Sequence, residues 1–160
     1  MKKILGTALF LSTTSLYAAG YGVVDVEKVA QSSDYLKQQN SAIQQSVQAQ
    51  TTQIDQLTQQ LTKLQKTLQE SKTEAERKKL VPEYQTKVQQ LDALQQQVQA
   101  KVQGTWQNVN KTFDGRLKLV AEQLRQENKL DVLLNKHAAL AYDAKYDLTD
   151  KMIQKVNAIK

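Results

Sequence analysis

The chain has 160 residues and a formal charge of +6, with 40% apolar and 24% charged residues, no cysteine and one histidine. The length suits one domain. Without cysteine, disulfides, thiol catalysis and cysteine metal sites are excluded, and a lone histidine excludes a multi-histidine centre within one chain.

Met1-Lys2-Lys3 is a basic start, residues 4–16 are largely apolar, and Tyr17-Ala18-Ala19 supplies small residues at a cleavage point. This is the layout of a secretory signal peptide over residues 1–19, and the apolar run is too short to span a bilayer as a helix. A buried N-terminal helix is the alternative. Cleavage after Ala18 or Ala19 leaves about 140 residues and lowers the charge from +6 to +4 by removing Lys2 and Lys3. The short Lys-Lys signal points to a bacterium and to the periplasm. A mild basic excess suits lipopolysaccharide, anionic lipid or acidic polypeptides, and is too small and scattered for nucleic acid.

Residues 21–26, Tyr-Gly-Val-Val-Asp-Val, form a β-prone run, and residues 27–31 read as a single helical turn. Ser32-Ser33 before Asp34 is a helix cap. Apolar residues then recur at Ile43, Val47, Ile54, Leu57, Leu61, Leu64 and Leu68, with Gln50 taking one turn of the stripe. Steps of three and four mark a heptad seam. The seam falters over residues 70–76, where Thr73 and Glu76 have capping-box spacing. It resumes at Leu80, Tyr84, Val88, Leu91, Leu94 and Val98 and continues through Val102, Trp106, Val109, Phe113, Leu117, Val120 and Leu124.

Two long helices folded back as an antiparallel hairpin satisfy this pattern; one uninterrupted rod is the competitor. The hairpin is favoured because the two seams are nearly equal in length and because folding back brings residues 21–26 beside the C-terminal strands. Pro82 predicts a kink or a helix start, which places the turn within 71–81. Helices of about 40–50 residues would project roughly 60–75 Å.

Of the 25 glutamines, nearly all lie between Gln31 and Gln126. Glutamine is a fair helix former without charge. These faces are either an ordinary solvated coiled coil or a neutral, hydrogen-bonding lining that tolerates other polypeptide. Lys72, Arg77, Lys78 and Lys79 cluster at the hairpin tip among Glu70, Glu74 and Glu76. A solvated helix end explains them, and so would contact with an acidic client or an anionic membrane.

After a helix end near 126–128, residues 130–134 and 138–142 read as two short strands around an Asn135-Lys136-His137 turn. A loop over 143–147 leads to a final helix with Thr149 as its cap and Met152, Ile153, Val156 and Ile159 as its apolar positions. The fold class is α+β, mostly α. A helical arm (34–124) projects from a small β body (20–33 and 125–160). That body has only some 50–60 residues, too few for a robust core alone, so association is expected. Val24, Val26, Val132, Leu134, Leu140 and Tyr142 would pair between chains and cover exposed strand edges.

Catalytic patterns are lacking: His137 lies in a turn, and there is neither a nucleophile elbow nor a glycine-rich phosphate loop. No enzymatic activity, cofactor or metal is expected. The stretches Tyr21-Gly22-Val23-Val24-Asp25-Val26-Glu27-Lys28-Val29, Leu130-Asp131-Val132-Leu133-Leu134, Ala138-Ala139-Leu140-Ala141-Tyr142 and Tyr146-Asp147-Leu148-Thr149-Asp150 resemble the opening and closing signatures of the Skp/OmpH family of periplasmic chaperones. The resemblance implies a homotrimer whose strands form a β body and whose three hairpins surround a cavity. Unfolded outer-membrane proteins would be held there without ATP. A structural coiled coil that spaces or bridges envelope components is the alternative function.

Overall fold

The computed structural model describes residues 20–160, so the signal peptide expected over 1–19 lies outside the described residues. Strand β1 (Tyr21–Val24) leads through Asp25 into helix α1 (Val26–Gln31). The Asp25 carboxylate accepts the Lys28 N–H at 2.9 Å and caps α1. Helix α2 (Asp34–Glu70) begins at Ser33, a buried serine whose Oγ accepts the Leu36 N–H at 3.3 Å. A β-region N-cap of this kind satisfies a donor that the first helical turn leaves unpaired.

The chain reverses over Ser71–Thr73 and returns as α3 (Glu74–Glu127). Thr73 Oγ1 accepts the Glu76 N–H at 3.3 Å, the cap anticipated from their spacing. At the other side of the turn, the Arg77 guanidinium donates twice to the Ser71 carbonyl, at 3.0 and 3.2 Å. The two helices span about 55 and 80 Å at a rise of 1.5 Å per residue. They run antiparallel: Lys101 Nζ donates to Ser46 O at 2.6 Å, and nearer the turn Lys87 Nζ donates to Gln60 Oε1 at 2.7 Å.

Pro82 neither starts nor ends a helix. The turn is tighter than the 71–81 window, and α3 continues unbroken through the proline. The capped turn at Thr73 has already committed the chain to helix, and Leu80 and Tyr84 are half-buried on either side of the proline. The missing N–H costs one helical bond there, and packing outweighs it.

Along the arm the seam is thin. Ile43 and Leu61 of α2 are buried, whereas Val47, Ile54, Leu57, Leu64 and Leu68 are only half covered, as are Leu91, Leu94 and Val98 opposite. The root differs. Phe113, Val120 and Leu124 of α3 close on Val24 of β1, Val29 of α1, and Leu148, Met152 and Val156 around helix α4 (Thr149–Ala158). Val29, Leu124 and Val156 are wholly inaccessible to solvent. Burying each such side chain contributes about 1.5–3 kcal/mol, so the stability of the protomer is concentrated at the root.

Helix α3 ends with a left-handed residue. Lys129 has φ 51°, its N–H bonds Gln126 O at 3.1 Å, and the Leu130 N–H bonds Arg125 O at 2.8 Å. This pair of bonds is the Schellman cap, in which glycine is the unstrained occupant. A left-handed non-glycine residue costs about 1–2 kcal/mol. Lys129→Gly is therefore expected to stabilise the fold by up to about 1 kcal/mol, read as a higher urea midpoint with unchanged slope.

Strand β2 (Val132–Asn135) pairs parallel with β1, placing Tyr21 opposite Val132 and Val24 opposite Asn135. The long hairpin is thus the crossover that a parallel pair requires. Expected strand 138–142 does not form. Asn135 accepts the His137 N–H, and Lys136–Ala138 turns as a short 3-10 helix, so the chain leaves the sheet instead of folding back on β2. A second 3-10 turn follows at Ala144–Tyr146, and Val23 makes a single parallel bridge with Asp147 on the other edge of β1. Thr149 is not the cap of α4 either. Its hydroxyl accepts the Asp25 N–H at 2.9 Å, and Asp147 accepts the Thr149 N–H, which ties α4 to the end of β1.

Candidate functional site

One surface of the body is unfinished. Strand β1 is enclosed, bounded by β2 on one edge and by the Asp147–Leu148 segment on the other, where the Leu148 N–H reaches Val23 O at 2.8 Å. The outer edge of β2 has no strand partner among the described residues. A two-stranded sheet is marginal alone, and an open edge is a template for another chain. Val132 and Leu134 of β2 are 47% and 37% exposed, and Leu140, in the segment that leaves the sheet, is fully exposed at 108%.

The six expected pairing residues divide. Val132 and Leu134 face solvent from β2 and Leu140 from the segment after it, while Tyr142 is half-buried with its hydroxyl donating to Asp147 Oδ2 at 3.4 Å. Val24 is 2% exposed inside its own protomer, and Val26 lies in α1 against the same core. These two are corrected from interface to core. Alternation fails because β1 is covered on both faces, as parallel strands usually are.

Polar contacts hold this surface in shape. Lys136 Nζ reaches Asp25 Oδ2 at 3.1 Å. The Asp25 carboxyl is held below its usual range by the Lys28 amide and then by Lys136. Burial raises the Asp147 carboxyl, but hydrogen bonds from Thr149 and Tyr142 outweigh it and leave the net shift downward. Hydrogen bonds from Arg125 and Gln126 pull Glu122 down to about 2, while Arg125 also donates to Leu130 O at 3.1 Å at the approach to β2. His137 stands in the turn with Nε2 3.3 Å from a Glu27 carboxylate oxygen. Among the described residues, no three His, Cys, Asp or Glu side chains come together as a metal site.

At the arm tip, the basic cluster is partly committed. Arg77 closes the turn, and Lys78 pairs with Glu74 at 3.4 Å across one helical turn. Lys72 and Lys79 have no ion pair among the described residues and remain available to an anionic surface. Midway along the arm, five glutamines rim a groove of ≈ 490 Å³ floored by Leu57, Ala93 and Leu94. Sequence periodicity placed both leucines in the seam, but it had no signal for the opening beside them.

Sequence reading also missed two anchors at the root. Asn157 accepts the Asp34 N–H at 3.0 Å and donates to Ser32 O at 3.1 Å, fastening α4 to the start of α2. Arg116 donates to Ile159 O at 2.9 Å and lies 4.1 Å from the Tyr35 ring centroid. Such an arrangement fixes α2, α3 and the C-terminal segment together by hydrogen bonding and cation–π attraction. A single arginine or asparagine in a helix carries no local pattern that reveals a long-range partner.

Comparison with known proteins fits this anatomy. The family described as outer membrane protein (OmpH-like) matches residues 20–156, which covers both ends of the body and the whole arm. The chain belongs to the OmpH-like family. A solved structure of a proposed OmpH-like outer membrane chaperone from Caulobacter crescentus superposes with a TM-score of 0.72, over 99% of this chain and 90% of that one. At 18% identity, that likeness establishes a shared fold for this OmpH-like chain. No curated protein matches it by sequence. Among the described residues, no helix is long and apolar enough to cross a membrane.

Proposed function

We propose that this OmpH-like protein is an ATP-independent holdase chaperone of the periplasm, exported by cleavage near Ala18 or Ala19. Three copies join through their β bodies, and their hairpins enclose a cavity in which unfolded outer-membrane proteins are kept from aggregating. The observation that carries the reading is the pairing of an unfinished apolar sheet edge with a long, solvent-facing hairpin in one chain. Burying Val132, Leu134 and Leu140 between copies would complete the sheets and anchor the arms. The arms would then offer neutral carboxamides, the half-open seam, and scattered apolar residues such as Val81 and Leu119, which are 41% and 53% exposed.

Such contacts are individually weak, and several arms acting together supply avidity. The absence of strong charge along the glutamine faces suits a polypeptide of unspecified sequence, whose backbone both donates and accepts hydrogen bonds. Lys72 and Lys79 at the tip add weak attraction to anionic lipid or lipopolysaccharide. No enzymatic step, cofactor or nucleic acid is part of this function.

Dilution of a urea-unfolded β-barrel membrane protein into buffer tests it. With this protein present, turbidity should be suppressed at about one trimer per client, and a soluble complex of matching mass should appear. A monomeric mass together with undiminished turbidity would reject the holdase and leave a spacer or adaptor of the envelope.

A further inference from the structure

Gly20 is held more closely than a segment leading into a strand requires. Its carbonyl accepts two N–H groups, from Asp131 at 2.7 Å and Val132 at 3.3 Å. Its own nitrogen points the other way and donates to Asp131 Oδ2 at 2.9 Å. A Cβ at this position would lie 2.9 Å from the Lys129 carbonyl oxygen, so only glycine sits in the clasp without a shift of backbone.

Asp131 has no ion-pair partner among the described residues. The nearby Arg125 guanidinium is spent on both Glu122 oxygens and on Leu130 O. A carboxylate is therefore directed at one backbone nitrogen, at the residue where the family match begins. Ala18-Ala19, the small residues expected at a cleavage point, stand directly before it.

We propose that the Asp131 carboxylate is a receptor for the α-ammonium group of a chain that begins at Gly20. The proposal rests on the export reading and narrows its cleavage site to one bond. Hydrolysis of the Ala19–Gly20 peptide bond by a signal peptidase consumes one water. It leaves the Ala19 carboxylate on the released segment and the amine, protonated near neutral pH, on Gly20. A neutral N–H···carboxylate bond becomes a charge-assisted one, which is shorter and stronger. Processing thereby tightens the point at which β1 enters its pairing with β2. The mature protomer closes its sheet more firmly than the precursor does.

Two measurements test this. The full mature chain is prepared from a cleavable fusion so that it begins either at Gly20 or at Ala18; the longer form keeps a neutral amide at Gly20 and carries its α-ammonium two residues upstream, away from the clasp. The form beginning at Gly20 should melt about 1–4 °C higher, and Asp131→Asn should abolish the difference. Equal melting of the two forms, or a difference that survives in Asp131→Asn, would overturn the pairing. Separately, the intact mass of the exported protein should correspond to a chain starting at Gly20. A chain cut elsewhere would overturn the proposal alone, whereas an uncut chain would overturn the export reading with it.

Discussion

Leu140→Glu is expected to convert the proposed trimer into free protomers while leaving the helical signal unchanged. Leu140 is fully exposed in the isolated protomer and makes no contribution to its core, so the substitution costs little within one chain. Exposed positions of this kind usually tolerate replacement within about 0.5 kcal/mol. In the assembled state the carboxylate would have to leave water for an apolar contact, at an effective cost of several kcal/mol per ion. Three symmetry-related copies multiply that penalty. Val132→Glu, at the open edge of β2, should act in the same direction. Light scattering at micromolar concentration reads the mass, and circular dichroism reads the helices, which lie mostly in α2 and α3. Suppression of client aggregation should fall more steeply than binding to a single arm, because the loss is one of avidity. A trimer that persists in both variants would place the interface elsewhere.

The arm was legible in the sequence because its information is local. A heptad seam states helix, register and packing face through residues a few positions apart. Thr73 and Glu76 announced the turn within a single cap. The body was less legible because its information is long-range. Val24 and Val26 alternate in the sequence as a half-buried strand would, yet β1 is enclosed by β2 and by the segment after Tyr146, both reached only after the whole hairpin. Residues 138–142 have strand composition, but the 3-10 turn at Lys136–Ala138 carries the chain away from the open edge of β2, so they pair with no strand among the described residues. Thr149 looked like a helix cap by position, and its hydroxyl was instead taken by Asp25, which lies 124 positions away. Pro82 failed in the opposite sense as a helix start: the cap at Thr73 begins α3 before it, and the helix runs on through the proline. Of the candidate surface residues, the exposed three came from their apolar character next to a short strand. The clasp between Gly20 and Asp131 had no sequence signature at all.

Leu124→Ala should be the most damaging single truncation in the protomer. Leu124 has no solvent exposure and belongs to the cluster in which α3 meets β1, α1 and α4. Removing a buried leucine side chain costs about 2–5 kcal/mol, the transfer loss plus the cavity it leaves. Domains hold only about 5–15 kcal/mol in all, so a melting temperature lower by roughly 5–15 °C is expected. Leu119→Ala, five residues before it on the same helix and 53% exposed, is the matched control and should melt within about 2 °C of the parent. The contrast tests where stability resides. If the seam of the arm dominated, the two variants would melt alike, because neither residue belongs to the contact between the distal helices. If the root dominates, Leu124→Ala loses the joint that connects both arm helices to the sheet and to α4. Client holding should then fail at the melting temperature of the root, below the temperature at which the parent fails. Arms that are long, exposed and thinly packed can serve as adaptable contacts only while the small core at their base keeps them directed from one place.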